Sequence, residues 1–263
     1  MAITTLAQLT TAARQTVSLT STVSRGGSFI SSRFDATGEP TGTLAGSSTT
    51  AGVVPTSATA GYPRILPFSG SNTGYLGNIQ ATNIWPCRMV IFDRLWLAGA
   101  YAFNASVTLT GQPSYSARVP NGNFNDLEIW VETVTSITGN LTIAVGYTNQ
   151  DGVNSRSTGT VTFGTANSTH ACFRFPLQSG DSGVQQINSV VSTVATAGTF
   201  NIMVLRRLAE TQISAGNEFD KVSVINGELL PQVYSDSALY VLTRVNGAAG
   251  TQLVRVRADI LQG

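Results

Sequence analysis

Apolar side chains recur at every second position through most of the chain beyond residue 84, and this period limits the possible folds more than any other feature. In LTIAVGY, Leu141, Ile143, Val145 and Tyr147 fall on one side and Thr142, Ala144 and Gly146 on the other, as in a half-buried strand. The same alternation appears at Val107/Leu109, Leu127/Ile129/Val131, Val161/Phe163, Ala171/Phe173/Phe175, Phe200/Ile202/Val204, Leu239/Val241 and Val254/Val256. Eight or more short strands separated by turn residues predict an all-β body over 85–263, an antiparallel β-sandwich or jelly-roll-like domain. Asp151-Gly152 in YTNQDGVNSR supplies the positive φ angles of a tight hairpin turn. VQQINSVVSTV is ambiguous: Val184, Ile187, Val191 and Val194 have helical spacing, yet the segment is rich in β-branched residues.

The first 84 residues read differently. Thr5-Leu6-Ala7-Gln8 fits a capping box, and Leu6, Leu9 and Ala13 then share one face of a short N-terminal helix. That face is narrow, so the helix is expected to dock on something. DATGEPTGTLAGSSTTAGVVPTSATAG (35–61) holds almost only Gly, Ser, Thr, Ala and Pro, with Asp35 and Glu39 its sole charges. It has too few large apolar groups for a core and too many breakers for a helix. A disordered linker is one reading, but such linkers are usually held open by charge. Spaced apolar anchors at Val53, Val54, Tyr62, Ile65, Leu66, Phe68 and Tyr75, with Leu6 and Leu9 before them, suit an extended arm over 1–84 that lies along a neighbouring surface.

Charge narrows the function. Charged residues make up 11% of the chain, against about 25% in a typical domain, and Lys221 is the one lysine beside fourteen arginines. Soluble monomers keep apart through abundant mixed charge, and lysine is depleted where surfaces become interfaces. Much of this surface is therefore expected to be covered in the working state. A net charge of +1 argues against a nucleic-acid partner. MAITTLAQLTTAARQ has no basic start and no unbroken apolar run, so no secretory signal is expected, and no apolar stretch is long enough for a bilayer. A soluble, cytosol-like compartment follows as the expectation. Cys87 and Cys172 are expected to be reduced and buried.

The motifs that suggest chemistry each have a plainer reading. Gly180-Asp181-Ser182-Gly183 resembles the surroundings of a serine nucleophile, and His170 is the one histidine. A serine needs a base and the base needs a carboxylate, but the order and spacing are wrong for chymotrypsin-like enzymes, and a polar turn suits these residues. Asn149, Asp151 and Asn154 look faintly like a calcium loop but lack its other carboxylates. Two cysteines and one histidine, far apart, give no zinc spacing. Glu128 and Glu132 flank Trp130 as in some carbohydrate sites, but by strand rise they lie about 13 Å apart. A solvated or interface-facing sheet surface is expected there. SRGGSF (24–29) lacks a phosphate-binding fingerprint. Arg206-Arg207 and Arg255/Arg257 read as partners for carboxylates. The N-x-S/T triplets at Asn104, Asn140 and Asn167 would matter only in a secreted eukaryotic protein. No catalytic residue, cofactor or metal ligand is expected.

The whole nevertheless has a familiar style. The strip AGVVPTSATAGYPRILPF, followed by DRLWLAGAYAFNASVTLTGQP and LEIWVETVTSITGNLTIAVGYTNQDGVNSRSTGTVTF, resembles structural proteins of tailed-bacteriophage virions, nearest to head decoration or minor capsid proteins. The resemblance implies a virion location after assembly in the host cytoplasm. It also implies an arm and sheet edges that bind the major capsid protein, other virion subunits or further copies, with no nucleic-acid or membrane partner. The rival readings are a tail, neck or receptor-binding component with Trp85, Trp96 or Trp130 exposed for sugar, and a free carbohydrate-binding module or hydrolase.

Overall fold

The computed structural model describes residues 3, 5–23, 29–32, 49–70, 72–104, 106–135, 137, 139–163, 170–193, 197–216, 218–223, 231–245 and 252–263. About half of the 35–61 strip (35–48), residues 24–28 and 33–34, Asn167, Val194 and the side chain of Leu6 lie outside the described set. Helix α1 (Leu6–Thr11) begins with the expected capping box: Gln8 N donates to Thr5 Oγ1 at 3.2 Å, and Thr5 N to Gln8 Oε1 at 3.1 Å. The helix is shorter than its apolar pattern suggested. Ala12 takes an extended backbone (φ −57°, ψ 132°), so Ala13 opens β1 (Ala13–Val23) rather than completing a helical face.

The protein is all-β with antiparallel pairing, and its residues group into two compact units. The first unit comprises 1–40, 56–93 and 208–263, and the second 41–55 and 94–207. The chain therefore divides inside two long strands, β4 (Cys87–Ala102) and β12 (Thr199–Ile213), and not at the expected 84/85 boundary.

In the first unit β1 pairs along its whole length with β16 (Gln252–Gln262), β16 pairs with β3 (Gly74–Asn83), and β3 with β13 (Glu218–Ser223) and β14 (Gln232–Val233). A second set joins β2 (Phe29–Ser32) to β15 (Leu239–Val245) and β15 to the first half of β4. Leu76, Ile79, Met89, Ile91, Val241 and Ile260 belong to the core of this unit. Residues 74–83, assigned to the arm from the sequence, are thus a strand bonded on both sides. A bulge conceals them: Ile260 faces Leu76 and Asp259 faces Asn78, which leaves Gly77 as the extra residue. The apolar positions Leu76 and Ile79 are three apart for that reason. A Cβ at position 77 would come within 2.7 Å of the Leu261 side chain, so a larger residue in the bulge would have to displace that leucine.

In the second unit β5 (Ser106–Thr108), β11 (Val184–Ser192), β7 (Leu141–Asn149) and β8 (Arg156–Ser157) form one sheet, with β9 (Val161–Phe163) also on β7. Here β6 (Leu127–Thr135) lies between β10 (Ala171–Arg174) and the first half of β12. Ile129, Val131, Val145, Tyr147, Phe175 and Ile202 share the second core. The ambiguous segment is strand β11. Its ladder with β7 slips at Gln185 and again at Asn188, so the buried residues Val184, Ile187 and Val190 are spaced by three.

Because Ile79 is fully buried, Ile79→Ala is expected to cost about 2–5 kcal/mol in urea denaturation. Leu66→Ala, at a position 61% exposed, is expected to change stability by no more than about 0.5 kcal/mol.

Candidate functional site

The Gly180–Gly183 turn was the first candidate for chemistry, and its groups are engaged locally. Asp181 accepts hydrogen bonds from Tyr147 Oη at 2.7 Å and Asn149 Nδ2 at 2.8 Å, and Arg156 Nε lies 3.3 Å away. Burial acts to raise this carboxyl, but those two hydrogen bonds and the guanidinium outweigh it and hold Asp181 below the ordinary carboxylate range. The tyrosine moves the other way: burial, with the Asp181 carboxylate against it, pushes the Tyr147 phenol up to about 12. Ser182 Oγ donates to Asn125 Oδ1, and the Ser182 and Gly183 amides donate to Gln150 Oε1 at 3.0 and 3.2 Å. His170 is committed elsewhere, with Nδ1 3.5 Å from Glu132 Oε1. The arrangement ties a turn between β10 and β11 to the tip of β7. It does not present a nucleophile to a base.

The calcium-like NQDGVN stretch is that tip. Asn149 Oδ1 accepts from the amides of Asp151 at 3.1 Å and Val153 at 2.9 Å. Gly152 alone in this turn takes a positive φ, +82°; Asp151, expected to share that conformation, does not. Among the described residues no group of three or more His, Cys, Asp or Glu side chains is placed to hold a metal ion.

The Glu128–Trp130–Glu132 face is buried rather than solvated or interface-facing. Trp130 is 3% exposed and Glu132 fully buried. Each carboxylate has its own basic neighbours. Arg207 Nη2 lies 3.2 Å and Arg174 Nε 3.6 Å from Glu128, whose Oε2 also accepts from Trp130 Nε1 at 2.7 Å. Glu132 faces the fully buried Arg94 at 3.9 Å besides His170. Two carboxylates neutralised separately do not form an acid–base pair. Arg207 behaves as expected from its strand position, as the partner of a carboxylate on the neighbouring strand. Cys87 and Cys172 are both buried free thiols, and burial raises the Cys87 thiol above its usual range.

The nine residues read as arm anchors have mostly internal surroundings. Val53 exchanges backbone hydrogen bonds with Leu97 at 2.8 and 3.0 Å, and Val54 packs on the second core. Ile65 belongs to the first core, where Phe68 packs against it, and Tyr62 is buried. Leu9 and Tyr75 are half-buried. Leu66 differs. Its backbone is held at both ends by one side chain, with N donating to Gln15 Oε1 at 2.9 Å and O accepting from Gln15 Nε2 at 3.2 Å, while its own side chain stands in solvent. Ile84 and Trp85, between β3 and β4, are 44% and 41% exposed. Of the three tryptophans considered for sugar contact, Trp96 and Trp130 are therefore buried and Trp85 is accessible.

No family model matches the chain, and no curated protein does. Solved structures overlap it only slightly. A structure of the Gx strain of infectious bursal disease virus shares 11% identity, covering 95% of this chain and 81% of that one, at a TM-score of 0.20. The VP2 subviral particle of the same virus gives 10% identity, 95% and 80% coverage and a TM-score of 0.19. An unassembled VP1 pentamer of Washington University polyomavirus gives 10%, 95% and 94%, and 0.20. Overlaps of this size assign neither fold family nor function.

Removing one partner of a buried pair leaves a charge uncompensated, so Glu132→Ala is expected to destabilise the protein by about 3–5 kcal/mol in chemical denaturation. The lowered Asp181 carboxyl contributes stability that is present above its unfolded value near ~3.9 and is lost as pH falls through the folded value. Asp181→Asn is therefore expected to lower the denaturation midpoint at neutral pH, and the gap to the wild type should close in acid.

Proposed function

We propose that the chain is a non-enzymatic structural subunit of a virion, bound among further copies and other shell proteins through uncharged surface. The observation that carries this reading is where the few charges lie. The sequence holds 15 basic and 14 acidic side chains. Among the described residues Asp93, Arg94, Arg118, Glu128, Glu132, Arg206 and Asp259 are buried. The outer surface thus carries fewer charges than if every ionisable side chain of this charge-poor chain stood outside, and such a surface does little to keep copies apart. Leu66, Ile84 and Trp85 add exposed apolar contact on the first unit. The separate engagement of Ser182 and His170 supports the absence of hydrolase chemistry. Attachment to the major capsid protein as a head decoration or minor capsid protein of a tailed phage is the finer form of the proposal, drawn from the style of the sequence.

Deleting residues 1–84 is a poor test, because it removes β1, β2 and β3 from the sheets of the first unit. Point changes on exposed side chains are cleaner. In sedimentation velocity across a concentration series, the wild-type protein is expected to self-associate or to travel with virus particles. Leu66→Asp and Trp85→Asp are each expected to weaken that association about tenfold or more, with unchanged circular dichroism. A protein that stays monomeric at every concentration and is absent from particles would overturn the reading.

A further inference from the structure

We propose that the second unit carries a subsite for one neutral sugar ring, in a cleft beside Tyr115. The cleft has a volume of about 210 Å³ and is bounded by the loop between β5 and β6 on one side and the start of β11 on the other. That volume is below the ~300–1,000 Å³ of pockets that enclose a whole drug-sized molecule. It suits a single ring.

The walls select the chemistry. Gln112, Gln185, Gln186, Ser114 and Ser116 line the cleft with neutral amides and hydroxyls, and Tyr115 is the one titratable side chain among the lining residues. Tyr115 is buried and its hydroxyl donates to Val184 O at 3.1 Å. An anion or a cation would find no counter-charge here, and a purely apolar ligand would strip water from several polar groups without replacing it. A ring bearing hydroxyls both donates and accepts, as these side chains do. The half-buried Phe124, edge-to-face with Tyr115 at 6.2 Å, supplies an apolar wall for the C–H face of such a ring.

The bulge in β11 makes the cleft possible. Consecutive residues of a regular strand point to opposite faces, yet Gln185 and Gln186 both line this cleft. The slip that leaves Gln185 unpaired re-aims the side chains, a use to which bulges near binding sites are commonly put. The walls are also fixed in advance. Gln112 Nε2 donates to Ile187 O, and Gln185 Nε2 to Gln150 O at 2.7 Å. A ligand would therefore meet little ordering cost.

The test is a protein-observed NMR titration with glucose, galactose, mannose and N-acetylglucosamine, and with sialic acid as the anionic control. At least one neutral sugar is expected to shift the amide signals of 112–116 and 185–186, with a dissociation constant on the order of millimolar. Gln186→Ala, at an exposed position, is expected to weaken that binding about five- to tenfold. Ser116→Trp, also exposed, fills the cleft and is expected to abolish it, the remaining spectrum reporting an intact fold. Absence of any shift at these amides overturns the proposal. So does sialic acid binding as well as the neutral sugars, or shifts that survive Ser116→Trp.

Discussion

A strand buried on both faces has no solvent side on which to put a charge. Strand β6 is such a strand: Leu127, Ile129 and Val131 enter the second core, and Glu128, Trp130 and Glu132 on the opposite face are buried as well. The carboxylates persist because β4, β10 and β12 bring Arg94, Arg174 and Arg207 to them, with His170 just before β10. Buried pairs of this kind add little net stability against an apolar replacement. They do penalise error. A slip of β6 by one residue would carry both carboxylates into the apolar core and the valine and isoleucine to the cations.

The same economy of charge shapes the outside. Arg88 and Glu210 form a two-point pair at 2.5 and 2.7 Å on the first unit, and Arg257 lies 4.0 Å from Asp259. The Arg88–Glu210 pair is partly exposed and such pairs are worth little to stability, but both pairs cancel charge on arginines that would repel a neighbouring copy. Leu66, clamped through its backbone by Gln15 and bare at its side chain, shows the complementary device of an apolar knob with little freedom left to lose on contact.

Bulges explain where the two-residue period fails. At Gly77 and at Gln185 and Asn188 one strand carries an extra residue, so the buried positions step by three before alternation resumes. Leu76 and Ile79 thereby escape the alternating pattern, and Val184 and Ile187 fit a helical spacing with Val191, although Val190 is the next buried residue. Over 49–68 the spacing of apolar residues leaves a different matter open. Val53, Val54, Tyr62 and Ile65 meet surfaces of this chain, and the spacing of apolar residues does not say whose surface receives them.

Local chemistry was legible in the residues themselves: the Thr5–Gln8 capping box, the Asn149–Val153 hairpin and the alternation in β7 all follow from side-chain type and short spacing. The same level of information established the all-β class, since strand period is a property of neighbours along the chain. Only the tertiary structure decided that β3 pairs on both sides, that Glu128 and Glu132 are buried against arginines, and that Gln185 and Gln186 share a cleft with Ser114 and Ser116. Those outcomes depend on register between segments distant in sequence. Register is set by summed packing and hydrogen bonding across strands, not by any residue's own preference.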